Sequence, residues 1–133
     1  MARTKEYEKL NSTGSLFKHI QTDTIYSYNT PIYEEFCTRR GKLKCFNDTY
    51  YSATTRKHQF NIWKYRTQSD IVFHHCPYGN WSLDTAFKNE ITMLKYDIEK
   101  LENKTRKLGK RQVEKLEALK KELQTVRKLY EEV

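Results

Sequence analysis

The feature that most constrains the fold is a run of apolar residues in the last third of the chain. Phe87, Ile91, Leu94, Ile98, Leu101, Thr105 and Leu108 follow one another at spacings of 4, 3, 4, 3, 4 and 3. This is the seam of a helix that must cover one apolar stripe. The seam breaks at Gly109 and resumes in a shifted register at Leu116, Leu119, Leu123, Val126 and Tyr130. Two arrangements satisfy this pattern. Gly109 marks a turn and the two segments fold back as an antiparallel hairpin, or one helix of about 50 residues runs on through a stutter. A continuous helix cannot hide its own seam and implies a homodimer. The similar lengths of the two arms, and the low helix propensity of Gly109, favour the hairpin over 82–132.

The segment before this arm reads differently. Residues 1–22 are polar, with a short helix expected around Glu6 to Leu10 and a frayed start. Ala2-Arg3-Thr4-Lys5 matches the tip of a histone tail, but Glu6 departs from it at once, and so short a match is read as accidental. From Thr24 the pattern alternates with β formers, and strands are expected near 24–29, 31–37, 42–47 and 70–74. Thr38 to Lys42, carrying Gly41, is the loop of a hairpin. Thr54 and Thr55 are placed to cap a helix from about Arg56 to Thr67. The expected fold class is therefore α+β. A small antiparallel sheet in a domain over 23–80 packs on one helix, and an antiparallel, coiled-coil-like helical hairpin follows over 81–133.

Charge and aromatic content point to binding rather than chemistry. The chain of 133 residues has a formal net charge of +8. Between Phe36 and Arg66, eight Lys and Arg face one acid, Asp48, and seven aromatic residues are interleaved with them. Cations neutralise phosphates and aromatic faces stack on bases, so this mixture suits a nucleic-acid surface. Arg39, Arg40, Lys42 and Lys44 would reach phosphate from the hairpin. Thr54, Thr55, Arg56 and Lys57 would do so from the helix start, where free N–H groups and the positive dipole end converge. Tyr50, Tyr51 and Trp63 are candidates for stacking. A second basic cluster, Lys104, Arg106, Lys107, Lys110 and Arg111, would crown the hairpin tip. No recognised base-reading motif is present, so weak base specificity is expected.

Residues 25–32 (IYSYNTPI) and 46–58 (FNDTYYSATTRKH) resemble a small domain that recurs in tailed-phage genomes, with the pattern SYNTPI, a short hairpin, then YYSxTTxKH. The resemblance covers about residues 24–66. It implies a phage setting and a β-hairpin-plus-helix fold rather than a defined activity. Cys37, Cys45 and the long helical tail lie outside that pattern. By analogy with phage proteins of this size, it directs attention to nucleic acid, nucleoprotein machines and host or defence proteins.

The leading expectation is thus a phage-type binding protein that contacts nucleic acid or a nucleoprotein complex through the basic-aromatic surface. The alternative is a protein-interaction inhibitor of a host or anti-phage defence protein, such as an anti-CRISPR, acting through Phe87, Ile91, Leu94, Ile98 and Leu101 of the helical arm. No nucleotide-binding or hydrolase motif occurs, and no enzyme activity is expected. Cys37, Cys45, His74 and Cys76 are the available zinc ligands. Seven residues separate the first two, wider than the usual two to four, so neither metal nor other cofactor is expected. With no secretory signal, no membrane-spanning run and an odd cysteine count, a cytoplasmic setting is expected, that of the host bacterium for a phage protein.

Overall fold

The computed structural model describes residues 6–104 and 107–133. The tip Ala2–Lys5, the seam residue Thr105 and the cation Arg106 lie outside the described residues. The fold is α+β. A six-stranded sheet has its strands in sequence order: β1 Tyr7–Lys9, β2 Leu16–His19, β3 Ile25–Ser27, β4 Thr30–Thr38, β5 Gly41–Asn47 and β6 Ile71–Phe73. The first five are antiparallel, and β6 runs parallel to β5. A parallel neighbour requires a crossover, which here consists of α1 (Ala53–Asn61) and α2 (Trp63–Thr67).

The sheet is larger than the sequence predicts. The segment around Glu6 to Leu10, expected as a helix, is an edge strand whose three residues are all exposed. Its register is set across the pair, with Tyr7 opposite His19, and Tyr7, Phe17 and Tyr26 form a cross-strand aromatic ladder. The expected strand over 24–29 ends at Ser27, because Tyr28 takes a positive φ of 55° in a two-residue turn to Thr30. The second hairpin turns at Gly41, whose φ of +106° no other residue adopts without strain.

Alternation along the strands sends neighbouring residues to opposite faces. Leu43, Cys45, Ile71 and Phe73 point to one side and pack with Trp81, Phe87, Leu94, Val126 and Leu129. Phe46 and Val72 point to the other side and pack with Tyr33, Ile62 and Tyr65. The C-terminal helices thus cover one face of the sheet, and α1 and α2 cover the other.

The heptad seam resolves as a hairpin. Helix α3 spans Leu83–Glu102 and α4 spans Lys110–Glu132, with Gly109 as the N-cap residue of α4. Ile98 and Leu101 meet Leu116 in a small cluster of their own, so the outer half of the hairpin is held mainly by its two arms. Phe87, Ile91, Leu94, Ile98 and Leu101 were expected to offer a surface to a partner. Instead they are taken up within the chain, by α4 and the sheet. Within one chain the hairpin and the sheet bury Phe87, Leu94, Ile98 and Leu101 and half-bury Ile91. Among the described residues no helix is long and apolar enough to cross a membrane.

Candidate nucleic-acid interface

The helix between β5 and β6 starts one turn earlier than its sequence suggests. Ser52, not Thr54 or Thr55, is the N-cap, and its Oγ accepts from the backbone N–H of Thr55 at 3.1 Å. Thr55 is buried, and its Oγ1 accepts from Ser27 Oγ at 3.1 Å. It is therefore a structural residue and not a phosphate contact. Thr54 stays exposed. The helix is interrupted at Ile62, whose φ of −110° and ψ of 26° end α1, and whose side chain is buried against the sheet. The interruption needs no proline. It lets Ile62 and Tyr65 both reach the core while Trp63, Lys64 and Arg66 turn outward.

The outward side of α1 and α2 carries a continuous aromatic and cationic strip. Phe60 is 57 % exposed, Trp63 37 % and Tyr50 64 %, so all three rings have free surface. Phe60 and Trp63 lie 5.3 Å apart between ring centroids. The Arg66 guanidinium sits 4.6 Å above the Trp63 ring, and that of Arg56 sits 5.5 Å from the Tyr50 ring. Asp48 joins the two arginines. Arg56 Nη1 donates to Asp48 Oδ1 at 2.5 Å and Nη2 donates to the Asp48 carbonyl at 3.2 Å, while Arg66 Nε lies 3.8 Å from Asp48 Oδ2. Lys57 stands three residues before Phe60 on α1, a spacing that brings side chains together along a helix, and Lys64 follows Trp63 on α2. Neither lysine is in an ion pair among the described residues.

Such a strip holds flat rings in fixed orientation. It leaves the Lys57 ammonium without an acidic partner among the described residues, holds that of Lys64 5.4 Å over the Tyr65 ring, and neutralises one acid internally. Lys42 and Lys44 project to the same side of the sheet, because Leu43 between them points to the other. Lys42 is already paired with Glu35 at 3.3 Å, and Glu35 also accepts from Tyr33 Oη.

The other sequence-predicted residues are placed elsewhere. Arg39 Nη2 donates to the Glu131 carbonyl at 3.1 Å, and Arg40 pairs with Glu132 at 3.5 Å. These two cations secure the β4–β5 hairpin to the C-terminal end of α4, where a positive charge also suits the helix dipole. They lie across the sheet from Arg56 and Lys57, so the predicted set does not form one surface. Tyr51 is half-buried, and its hydroxyl lies 3.0 and 2.9 Å from the carbonyls of Cys76 and Pro77 and accepts from Asn47 Nδ2 at 2.9 Å. Burial pushes its pKa up. It is a tether between loops rather than a stacking platform. Lys107, Lys110 and Arg111 are exposed at the hairpin tip. Phe60, Lys64, Arg66 and Asp48 were missed as site residues. All four lie within the basic-aromatic run, but only the break at Ile62 reveals which way they face.

Among the described residues, Cys37, Cys45 and Cys76 do not gather with His74 into a set of three close ligand atoms. Cys37 is exposed and paired in register with Lys42, whereas Cys45 is buried opposite Glu34. Burial raises the Cys45 thiol pKa and pushes Cys76 up to about 12. His74 lies against Glu90 of α3.

Comparison with known proteins finds no family model, curated protein or solved structure that matches this chain.

Proposed function

We propose that this protein is a phage-type binding protein that contacts single-stranded nucleic acid, free or within a nucleoprotein complex, through the α1–α2 strip. The observation that carries this reading is the exposed Phe60–Trp63 pair, 5.3 Å apart, flanked in sequence by Lys57 and Lys64. Bases stack on such rings only when they are unpaired, and stacking accepts every base, which fits the lack of a base-reading motif. Lys57 and Lys64 supply the phosphate contacts.

The test is fluorescence anisotropy with labelled single-stranded RNA, single-stranded DNA and duplex DNA at low and moderate salt. Single strands are expected to bind more tightly than duplex, with a log–log salt slope of about −0.7 per phosphate neutralised. A Lys57→Glu/Phe60→Ala/Lys64→Glu variant should fold normally, because all three side chains are exposed, and should lose this binding. Absence of binding at low salt, or an unchanged affinity in the variant, overturns the proposal.

A further inference from the structure

On the opposite side of the sheet, three ligand-bearing residues converge from three separate elements. His74 follows β6, Glu90 lies in the middle of α3 and Glu122 lies on α4. One ligand atom from each lies within 4.8 Å of the others.

Glu90 is a charged residue only 3 % exposed. Its Oε1 accepts from the His74 backbone N–H at 2.6 Å. Its Oε2 faces His74 Nδ1 at 3.2 Å. Two atoms that each sit about 2.0–2.2 Å from a zinc ion are themselves about 3–3.5 Å apart. The Nδ1–Oε2 distance therefore fits two neighbouring positions of one coordination sphere as well as it fits a hydrogen bond. A proton shared by imidazole and carboxylate would need no third group, yet the Glu122 carboxylate also approaches. Among the described residues neither Glu90 nor Glu122 is in an ion pair with Lys or Arg, although the chain has 25 of them. Two carboxylates gathered at one imidazole, with no Lys or Arg paired to either among the described residues, form a local cation site on a basic protein, open to a metal ion or to the proton of His74.

We propose that His74, Glu90 and Glu122 bind a divalent first-row transition ion, with zinc as the ion that best suits one imidazole and two carboxylates. Glu90 and His74 form the fixed half of the site. The first is buried, and the loop carrying the second is held by Asn89 Nδ2, which donates to the His75 carbonyl at 2.8 Å. Glu122 is exposed and closes on the ion by rotating its own side chain. Three protein ligands leave at least one position to water. Magnesium and calcium, which prefer all-oxygen shells, are expected to bind far more weakly. The ion would tie the end of β6 to both arms of the helical hairpin and stabilise the docking of the arm on the sheet.

The test is isothermal titration of the chelator-treated full chain with zinc sulfate, carried out in a Cys37→Ser background to remove the exposed thiol. One zinc per chain, with little heat from magnesium, is expected. Because Glu122 is exposed, Glu122→Gln should keep the fold, checked by circular dichroism, and should weaken zinc binding by about tenfold or more. Cobalt substitution should give visible absorption bands that change in the same variant. No saturable zinc binding, or an affinity in Glu122→Gln that falls by less than this, overturns the assignment. His74→Ala provides a second arm that does not disturb the buried carboxylate's backbone contact.

Discussion

Ser27 Oγ lies 2.6 Å from His58 Nδ1, inside the fold, where two segments 31 residues apart in sequence meet. Ser27 donates to Thr55 Oγ1 at 3.1 Å, so the proton in the Ser27–His58 contact belongs to Nδ1. His58 Nε2 then accepts from Asn11 Nδ2 at 3.4 Å. One neutral tautomer satisfies every contact. It also makes His58 a donor to Ser27, which is the wrong role for activating a nucleophile. The network extends through neighbouring residues. Thr30 Oγ1 accepts from Gly79 N, the Pro31 carbonyl accepts from Asn47 Nδ2 and Trp81 Nε1, and Cys76 N donates to Thr49 Oγ1. The residues of the two sequence segments that stand out most as a pattern are therefore joined as internal polar ties, and the exposed strip is built outside them.

Removing a member of this network leaves buried groups without partners. Ser27→Ala and His58→Ala are each expected to destabilise the fold by about 1–3 kcal/mol, measured by urea denaturation. Burial also holds the His58 pKa below its ordinary 6.5. The unfolded chain then takes up a proton first as the pH falls. The contribution of His58 is complete above pH 6.5 and is lost as the pH drops from there through the folded value. The urea midpoint of the native protein should fall more between pH 7 and 5 than that of His58→Gln, and equal falls would contradict this role.

Much of this architecture is legible in the sequence. The 4–3 seam that breaks at Gly109 and resumes in a shifted register at Leu116 gives both arms of the hairpin, and Ile71-Val72-Phe73 reads correctly as a strand. What escapes is settled by partners distant in the chain. Tyr7–Lys9 has no apolar alternation, and it is a strand only because β2 offers it an edge. The parallel placement of β6 depends on the crossover, and the sequence of Ile71–Phe73 is silent on direction. The strip is half legible. Its residue types are visible in the run from Phe36 to Arg66, but the separation of Arg39 and Arg40 from Arg56 requires knowing that α1 and α4 lie on opposite faces. The approach of Glu122 to His74 joins residues 48 apart in sequence and depends on the hairpin docking.

Glu34 faces the side of the sheet covered by α3 and α4, and its Oε2 is buried without a hydrogen-bond partner among the described residues. Desolvation raises its pKa to about 7. A carboxyl raised in the folded state costs nothing while protonated. Its penalty grows as the pH rises from the unfolded value of 4.5 towards 7, and is full above that. Glu34→Gln should therefore stabilise the protein at pH 8 by about 1 kcal/mol, after solvent screening has reduced the full linkage value, and leave it unchanged at pH 4. Thermal melts at the two pH values check the difference.

Asp48 restrains two arginines of the strip. Asp48→Asn removes a negative charge from the middle of the binding surface and releases the guanidinium groups of Arg56 and Arg66. Affinity for single-stranded RNA at low salt is expected to rise by about threefold to tenfold, with a steeper salt dependence. Stability should fall by about 1 kcal/mol, because the side chain of Asp48 is only 13 % exposed and its charge-assisted bond to Arg56 is lost. Weaker binding in this variant would place the nucleic acid elsewhere on the protein.

Lys110 and Arg111 open α4, and no acidic residue lies in its first turn. Cations at the positive end of a helix oppose its dipole. Gln112 Oε1, which accepts from Gly109 N at 3.3 Å, satisfies one free donor there but brings no charge. Lys110→Glu should therefore raise the melting temperature by about 1–3 °C at low salt. The gain should shrink as salt is added, because the site is exposed and screened. The same variant also decides whether the hairpin tip belongs to the interface. Loss of RNA affinity alongside the gain in stability would mean that the tip keeps its cations for binding at the expense of its helix. Unchanged affinity would confine the interface to the α1–α2 strip and leave the tip cations as solvated charge.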